Sequence, residues 1–318
     1  MRYRRLGRTD LQVSEIGFGA WAIGGNQHGH SYGVTDNAES VRAIKRAFEL
    51  GCTFFDTADI YGHGLSEKLL SQALQSHRRS CVIATKVGND FYHGPFRKNF
   101  DPAYIRFALE KSLQRLQTDY IDLYQLHNPP LMMLERGEHY GILDELKSEG
   151  KIRYYGVSVH DAYEGMMAIE TGKPDVIQVI YNLLRQDARE ELFPFAQERD
   201  IGIIAREPLA NGMLTGKYHD GSTFAADDMR AAWPPEYRDL QLQLVDQLRF
   251  LELPSQRTLT QAALRFVLDE PAVSVTIPGI KTSLHVEENL QTTDLEALTQ
   301  GERTAIGAVV DNAMDDLL

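Results

Sequence analysis

Eight short apolar runs recur along the chain, separated by polar or helix-patterned sequence, and this alternation constrains the fold more than any other feature. The runs lie at roughly 15–19, 52–56, 81–85, 120–126, 153–158, 175–180, 201–205 and 273–277. Most are followed by an amphipathic stretch, as at 37–50, 102–116 and 188–199. A strand that returns to its sheet through a helix pairs in parallel, and eight such units predict an α/β fold closed into a (β/α)8 TIM barrel. A length of 318 residues suits such a barrel with insertions. No repeat, low-complexity tract or linker divides the chain, so residues 1–318 are expected to form a single barrel domain.

Local signals fit this plan. Asp36 is placed to cap a helix from Asn37, and Asp101-Pro102 reads as an N-cap followed by proline at the first helical position. Residues 1–13 precede the first barrel strand and read as an N-terminal hairpin turning at Gly7-Arg8-Thr9-Asp10. Between the seventh and eighth strands lie far more residues than one crossover needs. The polar segment 216–255, with Trp233-Pro234-Pro235 and a helical pattern over 241–251, reads as an extended loop excursion on the catalytic face.

Composition narrows the function. A formal net charge of -12 argues against general affinity for nucleic acid or anionic membranes. No run approaches the ~20 apolar residues of a membrane span, and no signal peptide is expected. Cys52 and Cys81 are the only cysteines, each beside an apolar run. They read as buried thiols rather than a disulfide, which suits a cytoplasmic protein.

Four polar residues stand at or just beyond strand ends: Asp56, Tyr61, Lys86 and His127. In a parallel barrel these ends share one face, where active sites sit, so residues distant in sequence converge. Around them stand Phe55-Asp56-Thr57-Ala58 with Tyr61-Gly62, Ala84-Thr85-Lys86, and Asp122-Leu123-Tyr124-Gln125-Leu126-His127. Leu6-Gly7-Arg8-Thr9 and Ile16-Gly17-Phe18-Gly19 open the chain. In this order the set resembles the aldo-keto reductases, from the N-terminus to at least Asn289.

The resemblance implies an NAD(P)H-dependent oxidoreductase that moves a hydride between a nicotinamide and an aldehyde or ketone, or the corresponding alcohol. It implies Tyr61 as general acid, Lys86 as the cation beside it, Asp56 as the partner of Lys86, and His127 as a hydrogen-bond donor to the substrate oxygen. The chemistry suits the residue types. A free tyrosine, with a pKa of about 10, is a poor acid at neutral pH, and a neighbouring ammonium lowers that pKa.

The glycines at 17, 19, 24 and 25 do not fit G-x-G-x-x-G, because Ala22 stands where the last glycine belongs. The resemblance instead implies a cofactor extended across the barrel mouth. It points to Gly19, Ala20 and Trp21 after the first strand, and to Ser158 and Gln178 on the carboxamide. Val159 stands where relatives carry asparagine. Arg206 replaces an aromatic residue often found at the end of the seventh strand, and is expected over the nicotinamide, biasing the enzyme against the oxidised cofactor. Glu207 offsets this charge if it turns toward the ring, although adjacent residues on an extended chain point apart; the alternative is that Arg206 points away and pairs with a carboxylate. Pro208, Leu209, Gly212, Leu214 and Lys217 belong to the loop over the pyrophosphate. Gly279, Lys281, Thr282 and His285 belong to the adenosine 2′-phosphate site, at a helix N-terminus whose free N–H groups favour an anion. Glu288 and Asn289 are assigned to the adenine. NADP(H) is the expected cofactor, with NAD(H) the alternative, and a small carbonyl or alcohol the partner.

Phe91, Tyr92, His93, Pro95 and Phe96, with Trp21 and Trp233, are expected to wall a substrate pocket or to pin their own loops. His28-Gly29-His30 lacks further ligands at metal spacing, so no metal site is expected. A second functional class is a cofactor-sensing binding subunit of the same fold, resembling potassium-channel β-subunits; turnover of a simple aldehyde separates the two.

Overall fold

The computed structural model describes residues 1–28, 31–219 and 221–315. Its strands are β1 (Tyr3–Arg5), β2 (Gln12–Ser14), β3 (Phe18–Gly19), β4 (Phe54–Asp56), β5 (Val82–Val87), β6 (Asn89–Asp90), β7 (Arg97–Lys98), β8 (Ile121–His127), β9 (Ile152–Ser158), β10 (Val176–Ile180), β11 (Gly202–Arg206) and β12 (Val273–Ile277). Helices α1 (Asn37–Glu49), α2 (Leu65–Leu74), α3 (Pro102–Leu116), α4 (Leu131–Arg136), α5 (Tyr140–Ser148) and α6 (Ala162–Glu170) fill the first five crossovers, α4 and α5 sharing the fourth. Then follow α7 (Leu192–Glu198), α8 (Pro235–Gln247), α9 (Leu259–Leu268), α10 (Ser283–Gln291) and α11 (Gln300–Asp315).

Eight strands form one sheet in the order β12-β11-β10-β9-β8-β5-β4-β3, every neighbouring pair parallel. Bridges Ile16↔Thr276 and Gly19↔Gly279 join the two edges and close the barrel. Each barrel strand falls within a residue or a few of its expected run.

β1 and β2 form the expected antiparallel hairpin. Leu6, Leu11 and Val13 from it pack with Phe54, Val82, Ala84, Leu123, Val176, Ile204 and Val275 in one cluster, a plug in the lower barrel. Gly7 is required at this turn. Its φ is +52°, and a Cβ there would lie 2.0 Å from the Gly202 nitrogen.

The plug also sets the direction of the site residues. Side chains alternate faces along a strand, so a residue two positions beyond an inward one also points inward. Phe54 is followed in this phase by Asp56, Ala84 by Lys86, Leu123 by Gln125 and His127, Val176 by Gln178, and Ile204 by Arg206. The polar set is thus the next layer of the barrel interior, above an apolar floor.

Asp36 caps α1, its Oδ1 accepting from Glu39 N at 2.8 Å. Asp101 occupies the N-cap of α3 with Pro102 behind it, but makes no side-chain cap bond. In the excursion the helix starts earlier than its apolar pattern, at Pro235, because proline's fixed φ suits the first helical turn. Among the described residues no helix is long and apolar enough to cross a membrane.

Candidate active site

The structure brings Asp56, Tyr61, Lys86 and His127 to the mouth of the barrel. Lys86 lies at its centre, on β5, fully buried. Its Nζ donates to Asp56 Oδ1 at 2.5 Å, to the Thr57 carbonyl at 2.9 Å and to the Tyr61 hydroxyl at 3.2 Å. The three donors of the ammonium are thereby matched to three oxygens. Tyr61 is held by the turn after β4, with its N–H on Ala58 O at 3.1 Å, and its ring meets that of His127 edge-on at 5.9 Å.

Sequence reasoning missed two residues. Gln125 on β8 is fully buried and donates from Nε2 to Asp56 Oδ2 at 3.2 Å. Gln178 donates to the same oxygen at 2.8 Å and to Gln125 Oε1 at 3.2 Å. The Asp56 carboxylate is therefore held by Lys86 on one oxygen and two amides on the other. The signal for Gln125 was its phase, two residues after inward Leu123 and two before His127. The second is Asn89, whose Nδ2 lies 2.9 Å from His127 Nδ1.

Electrostatics follow from burial and neighbours. Burial pushes the Tyr61 phenol up, Lys86 pulls it down, and the net direction is up. The lowering expected from Lys86 is present but outweighed by desolvation, so the phenol keeps its proton at neutral pH. Burial pushes the Lys86 ammonium down, but Asp56 and Tyr61 outweigh it and hold the group above the ordinary lysine value. His127 lies well below the usual histidine range, first through burial and then through Lys86, Lys98, Arg206 and His160. It is a neutral imidazole.

Ser158 and Gln178, on neighbouring strands, pair in register and are both buried. Val159 turns its side chain into the core, while its carbonyl accepts from Arg206 Nη2 at 3.1 Å. Arg206 is also ion-paired with Glu207, the carboxylate partner of the alternative reading, although the two are adjacent in sequence. Glu207 has φ +53°, and this left-handed turn ends the extended geometry and folds its carboxylate back. Gly19 and Ala20 are buried at the barrel seam, and Trp21 meets Tyr32 edge-on at 4.4 Å.

The loop after β11 is tightly turned, with positive φ at Ala210, Asn211 and Gly212. Leu209 and Leu214 are buried in the main core, beside buried Pro208. Around Lys281 lie the cations Arg230 and Lys217, against Asp228 and Asp227, while burial and then Lys217 hold His285 below the usual histidine range. Lys281 Nζ donates to Tyr32 O at 2.6 Å. The N-terminus of α10 is less free than expected. Glu39 Oε1 accepts from Ser283 N at 2.9 Å and Ser283 Oγ at 3.1 Å, and Thr282 Oγ caps His285 N at 3.3 Å. Exposed Gly279 leads into it. Glu288 is tied to the α9 cap, accepting from the Thr258 hydroxyl at 2.8 Å, and Asn289 is buried.

The aromatic residues pack on one another and on their own loops. His28, His63, Phe91 and Tyr92 stack in sequence at 3.8, 4.4 and 4.1 Å, spanning the loops after the first three barrel strands. The Tyr92 hydroxyl accepts from Arg115 Nη1 at 2.5 Å, which pins the loop, while Phe96 is exposed. Trp233 packs on Tyr237 of α8. Among the described residues no group of three or more histidine, cysteine or acidic side chains is placed to hold a metal; Gly29 and His30 lie outside the described residues. Cys52 and Cys81 are both buried and free, with burial pushing each thiol up to about 12.

A family model described as the aldo/keto reductase family matches residues 15–311. The chain is similar to the aldo-keto reductase YhdN of Bacillus subtilis, 33% identical over 99% of this chain and 96% of that one. It is 31% identical to an NADH-specific methylglyoxal reductase of Escherichia coli, over 90% of this chain and 91% of that one. Among solved structures it resembles the holo form of aldo-keto reductase AKR11C1 from Bacillus halodurans, with a TM-score of 0.80 and 32% identity over 97% of this chain and 96% of that one.

Proposed function

The chain belongs to the aldo/keto reductase family of NAD(P)H-dependent oxidoreductases, and from that premise we propose that it reduces an aldehyde or ketone, or oxidises the corresponding alcohol, with Tyr61 as general acid. The observation that carries this reading is the buried Lys86 ammonium, shared between the Asp56 carboxylate and the Tyr61 hydroxyl at 2.5 and 3.2 Å. Residues 1–318 are read as one barrel domain, acting in the cytoplasm.

The bound nicotinamide supplies the hydride. Everything else in the reaction falls to the chain's own side chains. His127, neutral and beside Tyr61, donates a hydrogen bond to the carbonyl oxygen and orients it. As negative charge builds on that oxygen, Tyr61 passes it the phenolic proton. Lys86 then faces a phenolate rather than a phenol, and its charge stabilises the product of the transfer. Asp56, held by Gln125 and Gln178, keeps Lys86 in place. In the oxidation direction the same groups take the proton back. Acid–base help of this kind is worth ~10²–10⁴-fold.

The residues fit a nicotinamide dinucleotide. Gln178 uses Nε2 on Asp56 and Gln125, which leaves its Oε1 to accept a carboxamide N–H beside Ser158. Gly19, Ala20 and Trp21 border the same mouth, and Arg206 stands at the end of the seventh barrel strand. Pro208, Leu209, Gly212, Leu214 and Lys217 would follow the pyrophosphate. NADP(H) is supported by the cations Lys217 and Lys281 near Gly279 and Thr282, with His285 beside them as a neutral imidazole. A reading for NAD(H) is favoured by one observation, the Glu39 carboxylate on Ser283 at the start of α10. Glu288 and Asn289 remain assigned to the adenine side. The test is a panel of small aldehydes and ketones followed by the loss of NADPH or NADH absorbance. Turnover with either supports the enzyme reading. Tight cofactor binding without turnover on any carbonyl replaces it with the cofactor-sensing subunit.

A further inference from the structure

Beyond the four residues at the barrel mouth, the short hairpin β6–β7 grips His127 from both ends. Asn89 and Lys98 are directly paired across this hairpin. Asn89 Nδ2 lies 2.9 Å from the ring nitrogen Nδ1 of His127, and Lys98 Nζ donates to the His127 carbonyl at 2.8 Å. The hairpin is itself anchored. The Tyr104 hydroxyl of α3 donates to Asn89 O at 3.0 Å, and Asn99 N donates to Gly88 O at 3.0 Å. The Asp90 carboxylate accepts from Tyr92 N at 3.1 Å, His93 N at 3.2 Å and Asn99 Nδ2 at 3.1 Å, which fixes the connecting loop.

A neutral imidazole carries one N–H, and the partner of one nitrogen decides which nitrogen bears it. An amide N–H directed at Nδ1 needs a lone pair there, which puts the ring hydrogen on Nε2. The ring is kept neutral by its surroundings. It faces Lys86 from β5, Lys98 from β7, Arg206 from β11, His160 from beyond β9 and the Tyr61 ring, with no carboxylate among the described residues bonded to it. We infer that Asn89 is a positioning residue that sets His127 in its Nε2–H tautomer, the only neutral form able to donate to a substrate carbonyl through Nε2. This rests on the reading of His127 as the carbonyl's donor.

Two measurements test it. The first uses no turnover: long-range ¹H–¹⁵N correlation spectra of the wild-type protein, with His127 assigned by loss of its signals in His127→Gln. A protonated Nε2 and a bare Nδ1 are expected at pH 7 and above. A protonated Nδ1, or an even mixture of tautomers, overturns the inference whatever the enzyme does. The second is the pH profile of carbonyl reduction by Asn89→Asp. A carboxylate at Nδ1 demands a hydrogen there and raises the ring's pKa. At acidic pH the imidazolium still donates from Nε2. As pH rises through the raised value, the remaining hydrogen stays on Nδ1, and turnover should fall by roughly 10²-fold, the scale of losing one donor to the developing oxyanion. The wild type should show no such loss over this range. A profile parallel to wild type overturns the inference. If the spectra give the expected tautomer but no carbonyl is reduced, the tautomer stands and the function fails.

Discussion

Gln125 offers a severe test of the site's construction, because it touches neither cofactor nor substrate in the proposed reading. It is fully buried, donates to Asp56 Oδ2 at 3.2 Å and accepts from Gln178 at 3.2 Å. Gln125→Leu keeps the volume while removing both contacts. A hydrogen bond to a charged group is worth about 1.5–3 kcal/mol, so the variant should lose about that much in urea unfolding. With one amide gone, Asp56 relies more on Lys86, and less of the ammonium's charge is left for a phenolate. Turnover should fall while cofactor affinity changes little. Gln125→Glu provides a signed control. A glutamate buried against Asp56 has its folded pKa raised above the ~4.3 of the unfolded chain. Its proton is held more tightly in the folded state, so stability is greatest below pH ~4 and is lost as pH rises through the folded value. Unfolding free energies for the three proteins from pH 4 to 8 settle the matter. A Gln125→Leu stability within ~0.5 kcal/mol of wild type, the range of an inert surface change, would refute the reasoning.

Three other outcomes are expected. Tyr61→Phe should bind cofactor normally by fluorescence titration and lose ~10²-fold or more in turnover; wild-type turnover would remove Tyr61 from the chemistry. Lys281→Ala should weaken NADPH by roughly 1.5–3 kcal/mol and leave NADH nearly unchanged, whereas Glu39→Gln should tighten NADPH alone; equal effects on both cofactors would separate these residues from the 2′-phosphate. Burial pushes the Asp90 carboxyl up, but hydrogen bonds from Asn99, Tyr92 N and His93 hold it at about 2. Against an unfolded value of ~3.9 its contribution is complete above about pH 4 and disappears as pH falls through 2, so the stability gap between wild type and Asp90→Asn should close in acid.

What was legible in the sequence follows from periodicity. Eight apolar runs, a terminal hairpin and an overlong connection fixed the barrel, because strand alternation and crossover length leave few other closures. The residues at the strand ends were legible for the same reason. Gln125 and Asn89 were not, although they hold Asp56 and His127. An uncharged amide inside a run such as Leu123-Tyr124-Gln125-Leu126 has no marked chemistry, and only its phase distinguishes it. Nor could local pattern reveal that Glu39, on the first helix, occupies the N–H of Ser283. That contact joins residues 244 apart and depends on how α1 and α10 pack.

The end of the seventh barrel strand shows how one backbone angle changes a functional expectation. Extended geometry from Ile201 onward implies that Arg206 and Glu207 diverge, leaving a bare guanidinium to oppose an oxidised nicotinamide. With Glu207 at φ +53° the carboxylate returns onto the guanidinium, and the pair carries no net charge. The bias against the oxidised cofactor should then be small in the wild type, and Arg206→Tyr should change it little. Glu207→Gln is the informative substitution. It leaves the guanidinium bonded to Val159 O but unneutralised. One unit charge at about 8 Å and an effective dielectric near 20 is worth ~2 kcal/mol, so the ratio of the NADP⁺ and NADPH dissociation constants should rise by roughly thirtyfold. Fluorescence titration of both cofactor forms reads the ratio directly. If it stays at the wild-type value in Glu207→Gln, Arg206 does not face the nicotinamide, and its role is confined to tying the seventh barrel strand to the loop at Val159.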